Sequence, residues 1–392
     1  MTDLIVRVAA RGEGVTADGR HAAFAAPGDT LSPDNTVLPG PHHQTPPCRH
    51  FPNCGGCQLQ HLDDESYSAF LTDRISGALA AQGLTAPIRS PALSPPRTRR
   101  RAALHAESKG GTVTLGFSEG ASHAIVDLRE CWILTPGLFA LIAPLRKLFA
   151  RVLKGRARLH LTELDQGVDV LIEGKITDSL AAVEAITAFC GANGIARLAI
   201  DDGIGPETRW EPEGTTITLG GVAVPFPAGS FLQATREGEG ALVTAVREAI
   251  SGATLCADLF SGLGTFALSL PGKVYAAEAG RDAILALQSG ASRAGRTVFA
   301  EHRDLFRRPL TAAECDRFQA IILDPPRAGA KEQVAQLAGS KVPVIAYVSC
   351  NPSSFARDAD ILCKAGYALD WVQPVGQFRW STHVELAARF SR

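Results

Sequence analysis

From about residue 226 onward, short apolar runs alternate with amphipathic stretches at regular intervals. Strand-like runs fall at 255–260, 274–277, 298–300, 320–323 and 344–348, with a further apolar strand near the C-terminus. Between them, helical spacing of apolar positions covers 237–250, 281–294, 333–338 and 353–365. Strands alternating with helices at this spacing predict an α/β fold built on a doubly wound, largely parallel sheet. Ligands of such sheets sit beyond the carboxyl ends of the strands.

The preceding pattern is less regular. Apolar and polar residues alternate over 100–126 around a Lys109-Gly110-Gly111 turn. A helical pattern follows over 136–153, strands over 159–172, and another helix over 179–190. This middle region reads as α+β. A helix is predicted over 62–84, ended by Gly83. At the N-terminus, LIVRV and HAAFAA flank Asp18-Gly19, a hairpin signal, and predict a small β unit. Residues 27–47, rich in Pro, Asp, Asn, Gly and His, read as a linker. Three segments are therefore expected: 1–45, 46–228 and 229–392.

A chain of 392 residues suits two or three domains. No apolar run approaches the roughly 20 residues that span a bilayer. The N-terminus lacks a basic segment followed by a long apolar stretch, so a cytoplasmic enzyme, not a secreted or membrane one, is expected. The net charge of −1 neither indicates nor forbids nucleic-acid binding, which needs only a local basic face. Two basic clusters exist: Arg97, Arg99, Arg100 and Arg101, and Arg146, Lys147, Arg151, Lys154, Arg156 and Arg158. Each reads equally as a solvated surface or as an RNA grip. Of nine cysteines, Cys48, Cys54 and Cys57 crowd together. The others are scattered, as small buried residues usually are.

Asp258 begins DLFSGLGTFA, joining the first strand of the regular region to its helix, and 20 residues later Glu278 ends the second strand. A carboxylate there can accept both hydroxyls of a ribose. Gly262-x-Gly264-x-x-Ala267 also fits a dinucleotide fingerprint, so NAD and S-adenosylmethionine stand level on this segment alone. Asp324-Pro-Pro-Arg327 after the fourth strand favours the methyl donor, because rigid prolines there aim a polar group at a planar base. Arg327 stands where methylases of exocyclic amines carry an aromatic.

Tyr347-Val-Ser-Cys350-Asn-Pro352 places a thiol at the end of the fifth strand. Carbon 5 of uracil is too poor a nucleophile to take a methyl unaided; a thiolate adding to carbon 6 generates the enolate that can. A base must then remove the carbon 5 proton. Ser381-Thr-His383-Val-Glu385 offers an imidazole and a carboxylate, although Glu385 by itself reads as a surface residue.

Together these residues resemble the RNA 5-methyluridine methyltransferase family, through DLFSGLGTF, LDPPRAGA, YVSCNPSSFARD, STHVE and Phe231-Leu-Gln233 in the family's order. The segment Cys48-x5-Cys54-Gly-Gly-Cys57, with Cys131, is similar to the iron–sulfur signature of the bacterial 23S ribosomal-RNA branch. The resemblance implies methylation of a uridine carbon 5 in RNA, with Cys350 as nucleophile and Glu385 as base. It implies S-adenosylmethionine contacts from Gln233, Phe260, Thr265, Glu278, Asp304 and Asp324, with Asp324 facing both cofactor and uracil. It also implies a [4Fe-4S] cluster on Cys48, Cys54, Cys57 and Cys131; on spacing alone, zinc suits four thiolates equally. Ribosomal RNA is the expected substrate, transfer RNA the alternative, and the enzyme is expected to act as a monomer. The radical-enzyme run CxxxCxxC is absent. Family members often begin with a TRAM domain, a five-stranded β-barrel of the OB type. Only 47 residues precede Cys48 here, so a truncated remnant is expected. A cytosine-5 methyltransferase is the nearest enzymatic rival, and a non-catalytic metal-stabilised RNA-binding protein the rival of another class.

Overall fold

Eight strands form the sheet of the C-terminal half in the computed structural model, which describes residues 3–120 and 122–392. The chain divides into two units, each discontinuous in sequence. The first comprises Met1–Phe70, Pro95–Thr215 and Phe378–Thr382; the second comprises Leu71–Ser94, Thr216–Gln377 and His383–Arg392. No helix among the described residues is long and apolar enough to cross a membrane.

In the first unit, the N-terminal residues form five short strands: β1 (Asp3–Val8), β2 (Gly14–Thr16), β3 (His21–Ala22), β4 (Thr30–Leu31) and β5 (Val37–Leu38), in the order β3-β2-β1-β4-β5. Ile5, Ala22, Ala25 and Leu31 make their core. This corrects the expected half-set of strands. The turn at Asp18-Gly19 joins β2 to β3, and the segment read as a linker supplies β4 and β5. Asp29 explains the difference. Its buried carboxylate accepts from the amides of Ala26 and Gly40, both at 2.7 Å, and lies 2.7 Å from His43 Nδ1. A polar composition here reflects an internal hydrogen-bond centre and not a loose tether.

Helix α1 (Asp64–Ala80) begins in this unit and ends in the other; β6 (Ala92–Leu93) follows it. The middle region forms a six-stranded sheet from β7 (Arg101–Lys109), β8 (Thr112–Gly116), β9 (Leu153–Glu163), β10 (Val168–Ile176), β11 (Ile195–Asp201) and β12 (Glu207–Trp210), ordered β12-β11-β10-β9-β7-β8. Between β8 and β9 the predicted single helix is broken at Leu141 into α2 (Pro136–Ala140) and α3 (Ile142–Val152). With α4 (Leu180–Ala192), α3 packs on one face of the sheet; Leu145, Phe149, Ile186 and Phe189 of the helices are buried, as are Leu104, Leu159 and Val170 of the strands.

The second unit opens with a hairpin, β13 (Thr216–Leu219) and β14 (Val222–Pro225), that the apolar pattern did not announce. Its sheet runs β17-β16-β15-β18-β19-β21-β20-β6. The strands are β15 (Leu255–Leu259), β16 (Lys273–Glu278), β17 (Val298–His302), β18 (Ala320–Leu323), β19 (Val344–Ser349), β20 (Ala368–Gly376) and β21 (Glu385–Ser391). The strands β15 to β19 are mutually parallel, and β21 is antiparallel to both β19 and β20. Helices α5 (Arg236–Ala249), α6 (Arg281–Arg293), α7 (Ala312–Cys315), α8 (Lys331–Ala338) and α9 (Pro352–Lys364) connect them. β18 is buried along its whole length, which is why it reads as an unbroken apolar run. Strand order reverses between β15 and β18, and that switch point is where such a sheet opens a ligand crevice.

Candidate active site

Register carries the acidic residues to one level. Leu259 pairs with Ala277 on one side and Leu323 on the other, so Phe260, Glu278 and Asp324 all lie one step beyond these paired residues. Phe260 adopts φ +64°, a left-handed turn that is uncommon for a side-chain-bearing residue. It turns the chain into the glycine loop, and its ring meets Phe306 at 5.5 Å. At Gly264, φ +93°, an added Cβ would lie 2.4 Å from Leu287, so the close loop–helix packing requires glycine. The Glu278 carboxylate is held by the amides of Gly262 at 3.0 Å and Gly280 at 2.6 Å. Below them Asp258, fully buried, accepts from the Ala267 amide at 2.8 Å. Burial chiefly pushes Asp258 up to about 8, with Asp324 and Glu278 adding to the rise. Asp304 organises the next loop, accepting from the Phe306 amide at 3.0 Å.

The candidate reacting groups stand on neighbouring strands. Asn351 caps α9, accepting from the Ser353 amide at 3.1 Å, and Pro352 occupies the first helical turn, where its missing N–H costs nothing. The Asn351 amide nitrogen also donates to the Arg327 carbonyl at 2.9 Å, tying the Cys350 turn to the Asp324 loop. Buried Asp358 reinforces this tie by accepting from the Ala330 amide at 2.7 Å and the Tyr347 hydroxyl at 2.6 Å. Cys350 is thus set on a rigid turn at the end of β19. Burial, then Glu385 and Asp324, push its thiol up to about 11, while Arg327 opposes them.

Glu385 is 7% exposed, which corrects its reading as a surface carboxylate; His383 is the exposed one of the pair. Burial first, then Asp324, push Glu385 up to about 8; a hydrogen bond from Gln377 and the Arg327 charge act the other way. Asp324 is raised to about 7, by burial and then by Glu278. Cys350, Glu385, Asp324 and Arg327 therefore form one electrostatically linked group. Gln233, 4% exposed, accepts from Gln377 Nε2 at 2.8 Å, while Gln377 Oε1 accepts from the Ala234 amide at 2.9 Å. Gln377 was not anticipated. Its signal, a lone glutamine after an apolar strand, has no meaning until β20 is placed beside β21. Thr265 lies half-buried on the glycine loop.

The four cysteines lie in the first unit. Cys48, Cys54, Cys57 and Cys131 line a single cavity with Phe51, Phe117, Leu128, Trp132 and Ile133. Gly55 and Gly56 let their loop pass close to the Ser118 carbonyl and the Phe117 ring, at 2.7 and 3.2 Å from an added Cβ. Burial pushes Cys54 up to about 11 and raises Cys131 and Cys48, so these thiols are protonated without a metal. Arg99 faces this set. It lies over Phe378 at 5.1 Å, donates to the Arg101 carbonyl at 3.1 Å, and interacts with Cys57, Cys131 and Cys54. Arg100 is 1% exposed and Arg97 stacks on Trp132 at 4.4 Å. The Arg97–Arg101 cluster is divided: Arg100 is buried, Arg99 and Arg101 are half-buried, and Arg97 is exposed, so only part of the set is turned inward.

The strand order, the glycine loop and the acidic strand ends define an S-adenosylmethionine methyltransferase fold. A family model described as tRNA (uracil-5-)-methyltransferase matches residues 296–392. The chain is 52% identical over 393 residues to an uncharacterized RNA methyltransferase of Zymomonas mobilis, covering 99% of each. It is 31% identical over 367 residues to the 23S rRNA (uracil(1939)-C(5))-methyltransferase of Halomonas elongata, covering 87% of this chain and 75% of that one. The crystal structure of the Pyrococcus abyssi tRNA (uracil-54, C5)-methyltransferase, in complex with S-adenosyl-L-homocysteine, shares the fold over 100% of both chains, with a TM-score of 0.74 at 23% identity. The chain belongs to the RNA uracil-C5 methyltransferase family.

Proposed function

We propose that the enzyme methylates carbon 5 of a uridine in ribosomal RNA through a covalent adduct on Cys350. The observation that carries this is the opposition of Cys350 and Glu385 across β19 and β21, with Asp324 beside them. Cys350 Sγ, releasing its proton to solvent as the uracil docks, bonds as the thiolate to carbon 6. Electron density moves to carbon 5, which takes the methyl from the sulfonium and releases S-adenosylhomocysteine. Glu385, as carboxylate, then removes the carbon 5 proton, and the Cys350–carbon 6 bond breaks to restore the double bond. Gln233, Phe260, Thr265, Glu278, Asp304 and Asp324 hold the methyl donor in this reading. Ribosomal RNA is preferred to transfer RNA because the Halomonas relative named for 23S rRNA is similar over most of both chains.

We further propose a [4Fe-4S] cluster on Cys48, Cys54, Cys57 and Cys131, a reading that draws on their lining one hollow. Sulfurs around one zinc, each at about 2.3 Å from the metal, would stand about 3.8 Å apart. Among the described residues, the three ligand atoms found within 4.8 Å of one another are those of His42, Asp63 and Glu65, not a cysteine set. In a cubane each thiolate would bind a different iron, so four thiols lining one hollow need not converge on a single metal. When bound, the cluster would tie Cys131 to the Cys48–Cys57 loop. The test of the main reading is nucleoside mapping of ribosomal and transfer RNA from a strain lacking the gene. Loss of one 5-methyluridine in 23S rRNA is expected; its loss from transfer RNA alone would overturn the ribosomal assignment.

A further inference from the structure

With α3 and α4 on one face of the six-stranded sheet, the other face displays side chains of opposite parity. Along β9 these are Arg156, Arg158 and His160, with Lys154 past a bulge at Gly155; Arg158 is registered between His105 of β7 and Glu173 of β10. Lys154 and Lys175 are exposed, as are about half of the Arg156 and Arg158 side chains. His105, His123, Arg156 and Arg158 line a hollow of about 260 Å³ with Ser118 and Glu173.

Two carboxylates answer this cationic strip. Glu107 pairs with Arg156 at 3.1 Å, and Glu173 lies 3.1 Å from His160 and 4.0 Å from Arg158. They leave a positive excess, which is felt at His105: burial and then the Arg158 and Arg156 charges hold it below its usual value. Beyond Lys154 the surface turns acidic, with Asp178, Asp202 and Glu207 around the next hollow, and this bounds the strip. A positive strip on a chain of net charge −1 is a local feature, not the spill-over of a basic protein.

We propose that this sheet face, centred on Arg156 and Arg158 with Lys154 at its edge, is a docking surface for the sugar-phosphate backbone of the RNA substrate. The proposal rests on the methylation of RNA by this chain. Successive outward residues of a strand recur at about 6.6–6.8 Å, twice the rise per residue. Arg156 and Arg158 stand at that spacing and can follow neighbouring phosphates of an extended strand, with Lys154 past the bulge at Gly155, whose φ is +77°. Such contacts fix register without reading bases, so the face supplies affinity and the site around Cys350 supplies the chemistry. The row also reassigns the second basic cluster of the sequence. Arg146 is committed to Asp127 at 2.7 Å, and Lys147 and Arg151 lie on α3, the helix that covers the opposite face.

The test compares full-length Lys154→Ala/Arg156→Ala/Arg158→Ala with Lys147→Ala/Arg151→Ala, using unmodified RNA from a strain lacking the gene. For the first variant, RNA affinity should fall at least tenfold. Its dependence on salt should flatten by about 2 in log–log slope, at about 0.7 per phosphate contact on a single strand. Turnover at saturating RNA and S-adenosylmethionine binding should be unchanged, and the α3 variant should bind as wild type does. Replacing the two arginines by lysine should restore most of the affinity. An unchanged affinity and slope in the first variant would overturn the proposal, as would a loss confined to the α3 variant. If the wild-type protein methylates no RNA at all, the functional reading fails instead, and the two failures are distinguishable.

Discussion

Glu385 stands opposite Cys350 across an antiparallel strand pair: Ser349 and Leu386 are the last registered partners of β19 and β21, and the thiol and carboxylate occupy the next position outward. Two residues 35 apart in sequence, as their numbers show, are thereby held by backbone hydrogen bonds and not by flexible loops. Replacing Cys350 with Ala should abolish methylation while leaving S-adenosylmethionine affinity intact, since the thiol acts on the uracil. Wild-type enzyme with 5-fluorouridine RNA should form an adduct that survives denaturation. Absence of that adduct on an RNA the enzyme does methylate would remove Cys350 from the role of nucleophile.

Glu385→Gln should stall the reaction after methyl transfer, because the carbon 5 proton stays in place and the Cys350–carbon 6 bond cannot break. A stable protein–RNA adduct with natural uridine is the expected result on denaturing gels. In the proposed mechanism Glu385, at about 8, is largely protonated at pH 7 and would act as the carboxylate. The value of kcat/KM for RNA should therefore rise from pH 6 to 9, and a flat profile over that range would contradict its role as base.

Gln377 is expected to act as a positioning residue, since it bonds to Gln233, the Ala234 amide and Glu385. Gln377→Ala should lower kcat by about tenfold or more, as loss of one aligning hydrogen bond commonly does, and shift the pH profile upward as Glu385 loses a donor. A change in RNA affinity alone, with the pH profile unmoved, would assign it elsewhere.

Asp258, Asp324 and Glu385 are all raised, to about 8, 7 and 8. For a carboxyl whose folded value exceeds its unfolded value of about 4, the folded state holds the proton more tightly. That contribution to stability is complete below pH ~4 and is lost as pH rises through 7 to 8. The ligand-free protein should accordingly unfold at lower temperature at pH 9 than at pH 6. Asp258→Asn, which keeps an acceptor for the Ala267 amide, should flatten this dependence in calorimetry.

Protein purified without oxygen should contain about four irons per chain, following ligation of the cluster by four thiolates. Cys54→Ser should lose iron and destabilise the first unit, because Cys131 is then no longer tied to the Cys48–Cys57 loop. One equivalent of zinc with no iron would replace the cluster by a mononuclear site and leave the methyltransferase reading standing.

Local pattern was sufficient for the strands and helices of the second unit. Runs such as Ala320–Leu323 are buried on both sides and so are apolar throughout, and their ends carry the polar motifs that a parallel sheet gathers at one edge. The candidate residues Phe260, Glu278, Asp324 and Cys350 were legible for this reason. Their chemistry is local to strand ends, and the topology brings strand ends together.

Burial and long-range pairing were not legible. Arg99 and Arg100 read as surface charge because composition does not reveal that neighbouring chain folds over them. Glu385 read as a surface carboxylate because its burial depends on packing around β21. The polar segment after Pro27 read as a linker because one buried carboxylate, Asp29, collects its hydrogen bonds from residues up to 14 positions away. The sequence by itself determined which side chains could perform the chemistry and in what order the strands present them. Only the tertiary structure decided which charges are desolvated, which face of the middle sheet stays open, and that Gln377 stands beside Gln233, because those properties belong to contacts between segments distant in the chain.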